Sequence, residues 1–178
     1  MNWRALLPMA LFLVLVIGLG VAMLLRDPDK IDTPLLDQPF PEFSLSTLND
    51  PNEILTRDDI LGRISIVNVY GSWCAGCITE HPKLMEIAES KEVDLIGVNW
   101  RDTREKGHNF LARLGNPYDL IIFDEISELA VGLGVTGAPE TYLIDHNGII
   151  RFKHIGPITD EVWANDFRPR IAKLESGA

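Results

Sequence analysis

Trp73-Cys74-Ala75-Gly76-Cys77 holds the only two cysteines of this 178-residue chain. It lies between a β-type apolar run, Ile64-Ser65-Ile66-Val67-Asn68-Val69-Tyr70, and a helical pattern from Ile78 to Ala88. A dithiol where a strand passes into a helix has a specific chemical use. The free N–H groups and positive dipole end of the helix stabilise an anion, so the thiolate, the reactive form, is favoured. The i, i+3 spacing puts both sulfurs on one face of the first turn, close enough to form and break a disulfide.

Other uses of the pair fit less well. A zinc site needs about four ligands, and beyond this one pair the chain offers only the scattered His81, His108, His146 and His154. Covalent haem needs a histidine after the second cysteine, where Ile78 stands. A structural disulfide closing so small a loop removes little chain entropy. Copper binding by Cys74, Cys77 and His81 stays open. His81 precedes Pro82 and reads as a surface residue, and Pro82 is expected to kink the helix or break its ladder.

Residues Ala5 to Leu25 form an uncharged, mostly apolar run of 21. As a helix it spans roughly 30 Å, the thickness of a bilayer's hydrocarbon core. Arg4 precedes it, and Arg26, Asp27, Asp29 and Lys30 follow. The organisation read from this is a short cytoplasmic tail (1–4), a transmembrane anchor (5–25), a proline- and aspartate-bearing tether (26–41) and one exported domain (42–178). The competing reading is a cleaved signal peptide, with Gly18-x-Gly20 as the small-residue site. A formal charge of −10 argues against a nucleic-acid partner.

Along the domain, Phe43 to Leu48 alternates like a strand, and Ile64 to Tyr70 reads as a central one. Val93 to Trp100 and Leu120 to Phe123 are further strands. Thr103 N-caps a helix to Leu114 that ends at Gly115, and Ile126 to Leu133 is a short helix. Thr141 to Asp145 and Ile149 to His154 flank Asn147-Gly148, a two-residue hairpin signal. Asp160 to Leu174 is a terminal helix interrupted near Pro169. The alternation implies an α/β fold with a mixed central sheet and helices on both faces.

This order, with WCxxC after the first central strand and Gly137-Ala138-Pro139 before the hairpin, resembles the thioredoxin-like fold. Leu114-Gly-Asn-Pro-Tyr118, Gly134-Val-Thr-Gly-Ala-Pro-Glu-Thr-Tyr-Leu-Ile-Asp145 and Asn147-Gly-Ile-Ile-Arg151 narrow the resemblance. They are similar to the membrane-anchored thioredoxin-like proteins of cytochrome c maturation, the CcmG/DsbE type. The resemblance covers the chain from about residue 34 and includes the anchor.

The resemblance implies roles. Cys74, at the exposed helix end, is the attacking thiol and Cys77 the resolving one. Pro139 matches a cis-proline opposite the dithiol, and Ala138 before it lines, with Trp73, the groove for an extended substrate strand. Many thioredoxins place a buried aspartate on the strand under the dithiol; here that place is Asn68, which accepts no proton at physiological pH. Glu80 and Glu140 match acidic positions of this branch, and are expected to tune the sulfurs and carry a proton, with larger effects on substitution than Asn68. The pair Ala75-Gly76 departs from relatives, which usually carry a proline there.

The implied activity is thiol–disulfide exchange, in the reducing direction and without metal or organic cofactor. The implied setting is a bacterial inner membrane, single-pass, with the catalytic domain in the periplasm. The partners would be apocytochrome c, or a haem-ligation protein, as the disulfide substrate and a membrane thiol-electron transporter as the reductant. The rivals are a disulfide-forming oxidase or isomerase, and a copper metallochaperone.

Overall fold

The computed structural model describes residues 3–24 and 35–177, in two units, Met1–Asp32 and Thr33–Ala178. The first unit holds helix α1 (Trp3–Leu24). Its described side chains, residues 7–21, stand exposed, Leu11, Phe12 and Val14 among them. Among the described residues no helix is long and apolar enough to cross a membrane, and the expected span, Ala5 to Leu25, ends outside the described set.

In the second unit β1 (Ser44–Ser46) pairs antiparallel with β2 (Ile54–Thr56). The main sheet contains β3 (Ser65–Tyr70), β4 (Asp94–Trp100), β5 (Leu120–Asp124), β6 (Glu140–Ile144) and β7 (Ile150–Ile155) in the order β5-β4-β3-β6-β7. The first three strands are parallel, and β6 and β7 run antiparallel to their neighbours. The sheet is therefore mixed, and β3 is its fully buried centre. α2 (Ala75–Ser90), α3 (Arg104–Leu114), α4 (Glu128–Gly132), α5 (Asp160–Val162) and α6 (Arg168–Glu175) complete the unit.

The two-residue strand period sorts the core into two layers. Ile66, Tyr70, Leu95 and Leu143 face Leu84 and Ile87 of α2, Phe110 of α3, and Phe167 and Ile171 near the C-terminus. Val67, Val69, Ile96, Val98 and Tyr142 face the opposite way, onto Phe40, Phe43, Leu129 and Leu133. Each such side chain contributes about 1.5–3 kcal/mol on burial. Asn68 shares the first face, and so lies under α2.

Several expectations change. Of the stretch read as a tether, 26–41, the part described begins at residue 35, and it packs on the domain. Phe40 is fully buried, the Asp37 and Phe40 N–H groups donate to Ile150 and Gly148 carbonyls, and Asp37 pairs with Arg151 at 2.6 Å. Helix α2 runs on through Pro82, which lies on the exposed face and, having no N–H, breaks the hydrogen-bond ladder locally as expected. The hairpin is not a two-residue turn. Gly148 N–H closes onto the Asp145 carbonyl, Asp145 N–H onto Ile149, and of Asn147 and Gly148 only Gly148 has positive φ, at 74°. The Asp145 carboxylate accepts from the Asn147 and Ile149 N–H groups and stabilises this three-residue loop. The terminal helix is interrupted by a π-turn, Trp163–Phe167, just before Pro169. There Arg168 N–H reaches back five residues to Trp163, ahead of a residue with no N–H to offer.

Candidate active site

Strand β3 and the Gly71–Trp73 loop deliver Cys74 to the N-cap of α2. Cys74 and Cys77 are joined as a disulfide with Cα atoms 5.3 Å apart. The Cys77 backbone N–H donates to Cys74 Sγ at 3.0 Å. Cys74 Sγ thus occupies the place where a helix N-terminus stabilises an anion. Both cysteines are buried, at 4% and 2% exposure, so exposure does not distinguish them, contrary to the reading of Cys74 as the exposed end. Their positions relative to the helix N-terminus do.

Beneath the dithiol is a buried polar network. Glu80, one turn after Cys77, is 1% exposed, on the same α2 face as Cys77, Leu84 and Ile87. Its carboxylate accepts from Asn68 Nδ2 and from the Ile158 N–H, each at 2.9 Å. Asn68 Nδ2 also donates to Thr141 Oγ1 at 2.9 Å, and its Oδ1 accepts from the Tyr118 hydroxyl at 2.8 Å. Burial raises the Glu80 pKa to about 7, against the lowering effect of the Ile158 and Asn68 hydrogen bonds. A carboxyl poised there exchanges a proton at neutral pH. Asn68 does not titrate, yet it orients the group that does.

Pro139 is buried opposite the dithiol, after a cis Ala138–Pro139 peptide bond. Gly76, between the cysteines, faces it: a Cβ there would come within 2.9 Å of Pro139 Cδ. Ala138 is partly buried and touches both core layers. Glu140 is completely buried in an ion pair with Lys153 at 2.8 Å. It accepts from the Thr136 N–H, the Thr136 hydroxyl and the Tyr142 hydroxyl. Burial alone would raise its pKa; the Lys153 and Thr136 bonds outweigh it and hold the carboxyl below its usual range. Glu140 therefore stays ionised near neutrality. It fastens the turn into Pro139, and of the two carboxyls it is Glu80 whose pKa is raised toward neutrality.

The Redoxin family matches residues 35–167 of the chain. A thiol:disulfide interchange protein DsbE of Allochromatium vinosum is 47% identical over 174 residues, 98% of this chain and 96% of that one. The Pseudomonas aeruginosa DsbE is 41% identical over 169 residues, 95% and 93% of the two chains. The chain belongs to the DsbE-type thiol:disulfide interchange proteins. Solved structures agree on the thioredoxin-like fold. A DsbE-type protein from Chlorobium tepidum has a TM-score of 0.63 at 24% identity, covering 76% of this chain and 95% of that one. A secreted thiol-disulfide isomerase from Corynebacterium glutamicum has 0.67 at 23% identity, covering 83% and 96%. Like its DsbE relatives, this chain is a thiol–disulfide oxidoreductase that exchanges disulfides with partner proteins.

In this DsbE-type site Trp73 is half exposed, at 52%. Its indole N–H donates to the Trp100 and Arg101 carbonyls at 3.2 and 3.1 Å, and its ring meets Trp100 edge-on. Sequence reasoning missed Asp102, which secures this loop. Its buried carboxylate accepts from the Ser72 N–H at 2.7 Å, the Ser72 hydroxyl, the Thr103 N–H and Asn99 Nδ2. Sequence reasoning also misplaced His81, which is 2% exposed rather than at the surface. It lies on the inner stripe of α2, its ring edge-on to Phe110, and its Nε2–H donates to the Gly115 carbonyl at 3.0 Å. Burial lowers its pKa and keeps it neutral.

Tyr118 reaches Asn68 only because β4 carries Gly97 beside it. A Cβ at Gly97 would come within 2.9 Å of the Tyr118 ring and 3.0 Å of Tyr70, two rings that stack at 4.9 Å. Gly97→Ala is therefore expected to destabilise the protein by about 1–3 kcal/mol, the range for overpacking a core. Urea unfolding at constant slope measures it; an unchanged midpoint would show that the Tyr118 ring yields freely.

Proposed function

We propose that this protein is a membrane-anchored reductant, with its thioredoxin-like domain in the periplasm, that keeps or makes apocytochrome CxxCH thiols reduced for haem attachment. The observation that carries the chemistry is Glu80, and the reducing direction rests on the CcmG/DsbE resemblance. A carboxylate buried on the α2 face that bears Cys77 disfavours a thiolate beside it. Cys77 therefore rests as a thiol whose proton the same carboxylate can take during resolution. The CcmG/DsbE resemblance supports the client class. The apolar run 5–25 and the exposed apolar side chains of α1 support an anchor, which raises the local concentration of membrane partners.

The Cys74 thiolate attacks the client disulfide, forming a mixed disulfide and releasing one client thiolate, which takes a proton from water. Cys77 gives its proton to the Glu80 carboxylate and attacks Cys74 Sγ, releasing the second client thiolate. The client gains two electrons, the protein becomes the disulfide seen here, and a membrane thiol-electron transporter restores the dithiol. Cys74, Cys77 and Glu80 are the catalytic groups, Trp73, Ala138 and Pro139 line the substrate groove, and Glu140 positions that groove.

Equilibration of the full chain, in detergent, with glutathione tests the direction. The expected reduction potential lies on the reducing side of about −200 mV. A value close to that of a strong oxidant would overturn the reading in favour of disulfide formation.

A further inference from the structure

Beside Trp73 two open hollows adjoin, one at the loop after β4 and one along α3, and together they form a trough. Trp73, Arg101, Thr103, Lys106 and Glu125 border its first part. Ser72, Lys106, Asn109, Phe110 and Arg113 border the second, and Ser72 and Lys106 are common to both. Three cations thus line one path away from the dithiol, in a chain of net charge −10. Among the described residues none of the three forms an ion pair.

The two carboxylates at the trough do not cancel them equally. Asp102 is buried with its oxygens already taken by the Ser72, Asn99 and Thr103 donors. Glu125 is exposed at one end. Arg101 is held in place, its Nε donating to Ser127 Oγ at 2.9 Å and its guanidinium 4.9 Å from the Trp100 ring centroid. Helix α3 starts at Arg104, so its positive dipole end opens onto the same path.

We propose that this trough receives an acidic segment flanking the cystine of the protein substrate, so that partners with Asp or Glu beside their disulfide are preferred. Charge complementarity at an exposed rim acts chiefly on encounter rate and selectivity. The inference rests on disulfide exchange through Cys74 and is independent of the client's identity as a cytochrome.

Three cystine peptides with one core and Asp-Asp, Ser-Ser or Lys-Lys flanks test it, reacted with the reduced full chain by stopped flow. At low salt the acidic peptide should react about fivefold faster than the neutral one, and the basic peptide more slowly. At about 1 M salt, where screening acts within roughly 3 Å, the three rates should converge. Lys106→Gln with Arg113→Gln should cut the acidic preference below about twofold while leaving the neutral peptide's rate unchanged. The control Lys173→Gln, on α6, should keep the full preference. Equal rates for all three peptides in the parent chain, or a preference that survives the double substitution, would overturn the trough. No reaction with any peptide would overturn the exchange reading, and the trough with it.

Discussion

Cys77→Ser should accumulate a covalent complex with its partner, and Cys74→Ser should lose exchange by at least about 10³-fold, the scale for losing an activated nucleophile. The two cysteines are almost equally buried, so the asymmetry must come from electrostatics. Cys74 Sγ caps the helix and receives the Cys77 N–H, which stabilises its thiolate. Cys77, within the first turn, shares its face with the Glu80 carboxyl, which opposes a second anion. In the Cys77→Ser chain the first attack proceeds and the second cannot. The mixed disulfide should be visible on non-reducing gels after acid quenching and alkylation, and mass spectrometry of the trapped species from membranes would name the client. A trapped complex formed by Cys74→Ser in its place would reverse the two roles.

Glu80→Gln should slow the resolving step by about 10- to 100-fold at pH 7.5, part of the usual contribution of a positioned acid–base group. The pH dependence is the sharper readout. With the Glu80 pKa at about 7, the fraction able to accept the Cys77 proton rises as pH passes through neutrality. The parent rate should follow it, and the variant should lack that rise. Stability carries the same signature with a definite sign. The folded pKa lies above the ordinary glutamate value of 4.5, so between these values the folded state holds a proton that the unfolded state has lost. The Glu80 contribution to stability is fully present below about pH 4.5 and is lost as pH rises toward 7, by up to about 3 kcal/mol. Glu80→Gln should flatten that part of the denaturation profile. A variant that keeps both the kinetic rise and the stability slope would remove Glu80 from the mechanism. Glu140, ion-paired with Lys153 and held ionised, should on substitution lower stability without moving the kinetic pKa.

Much of the architecture was legible because it rests on local periodicity. The strands from Ile64, Val93 and Leu120 follow from short runs of β-type apolar residues, and α3 from Thr103 and Gly115 at its ends. What escaped depended on distant partners. The β2 arm is three residues long and has no pattern of its own. Counting back from Cys74 located Asn68, but not that it links Glu80 to Tyr118, which lies 50 residues away in sequence. His81 was misread although the signal was present: Cys77, Glu80, His81, Leu84 and Ile87 recur at helical spacing and are all buried. The polar character of two members obscured the stripe. Asp102 gave no warning, since its value comes from donors supplied by three other residues.

The indole of Trp73 is tethered at its nitrogen to two carbonyls while the residue is half exposed. It is therefore a fixed shelf rather than a swinging gate. For the substrate role proposed above, this means that a peptide would meet a surface already in place, with little side-chain freedom lost on the enzyme's side. In the groove proposed above, such a shelf would select partners by fit against a plane that is already set.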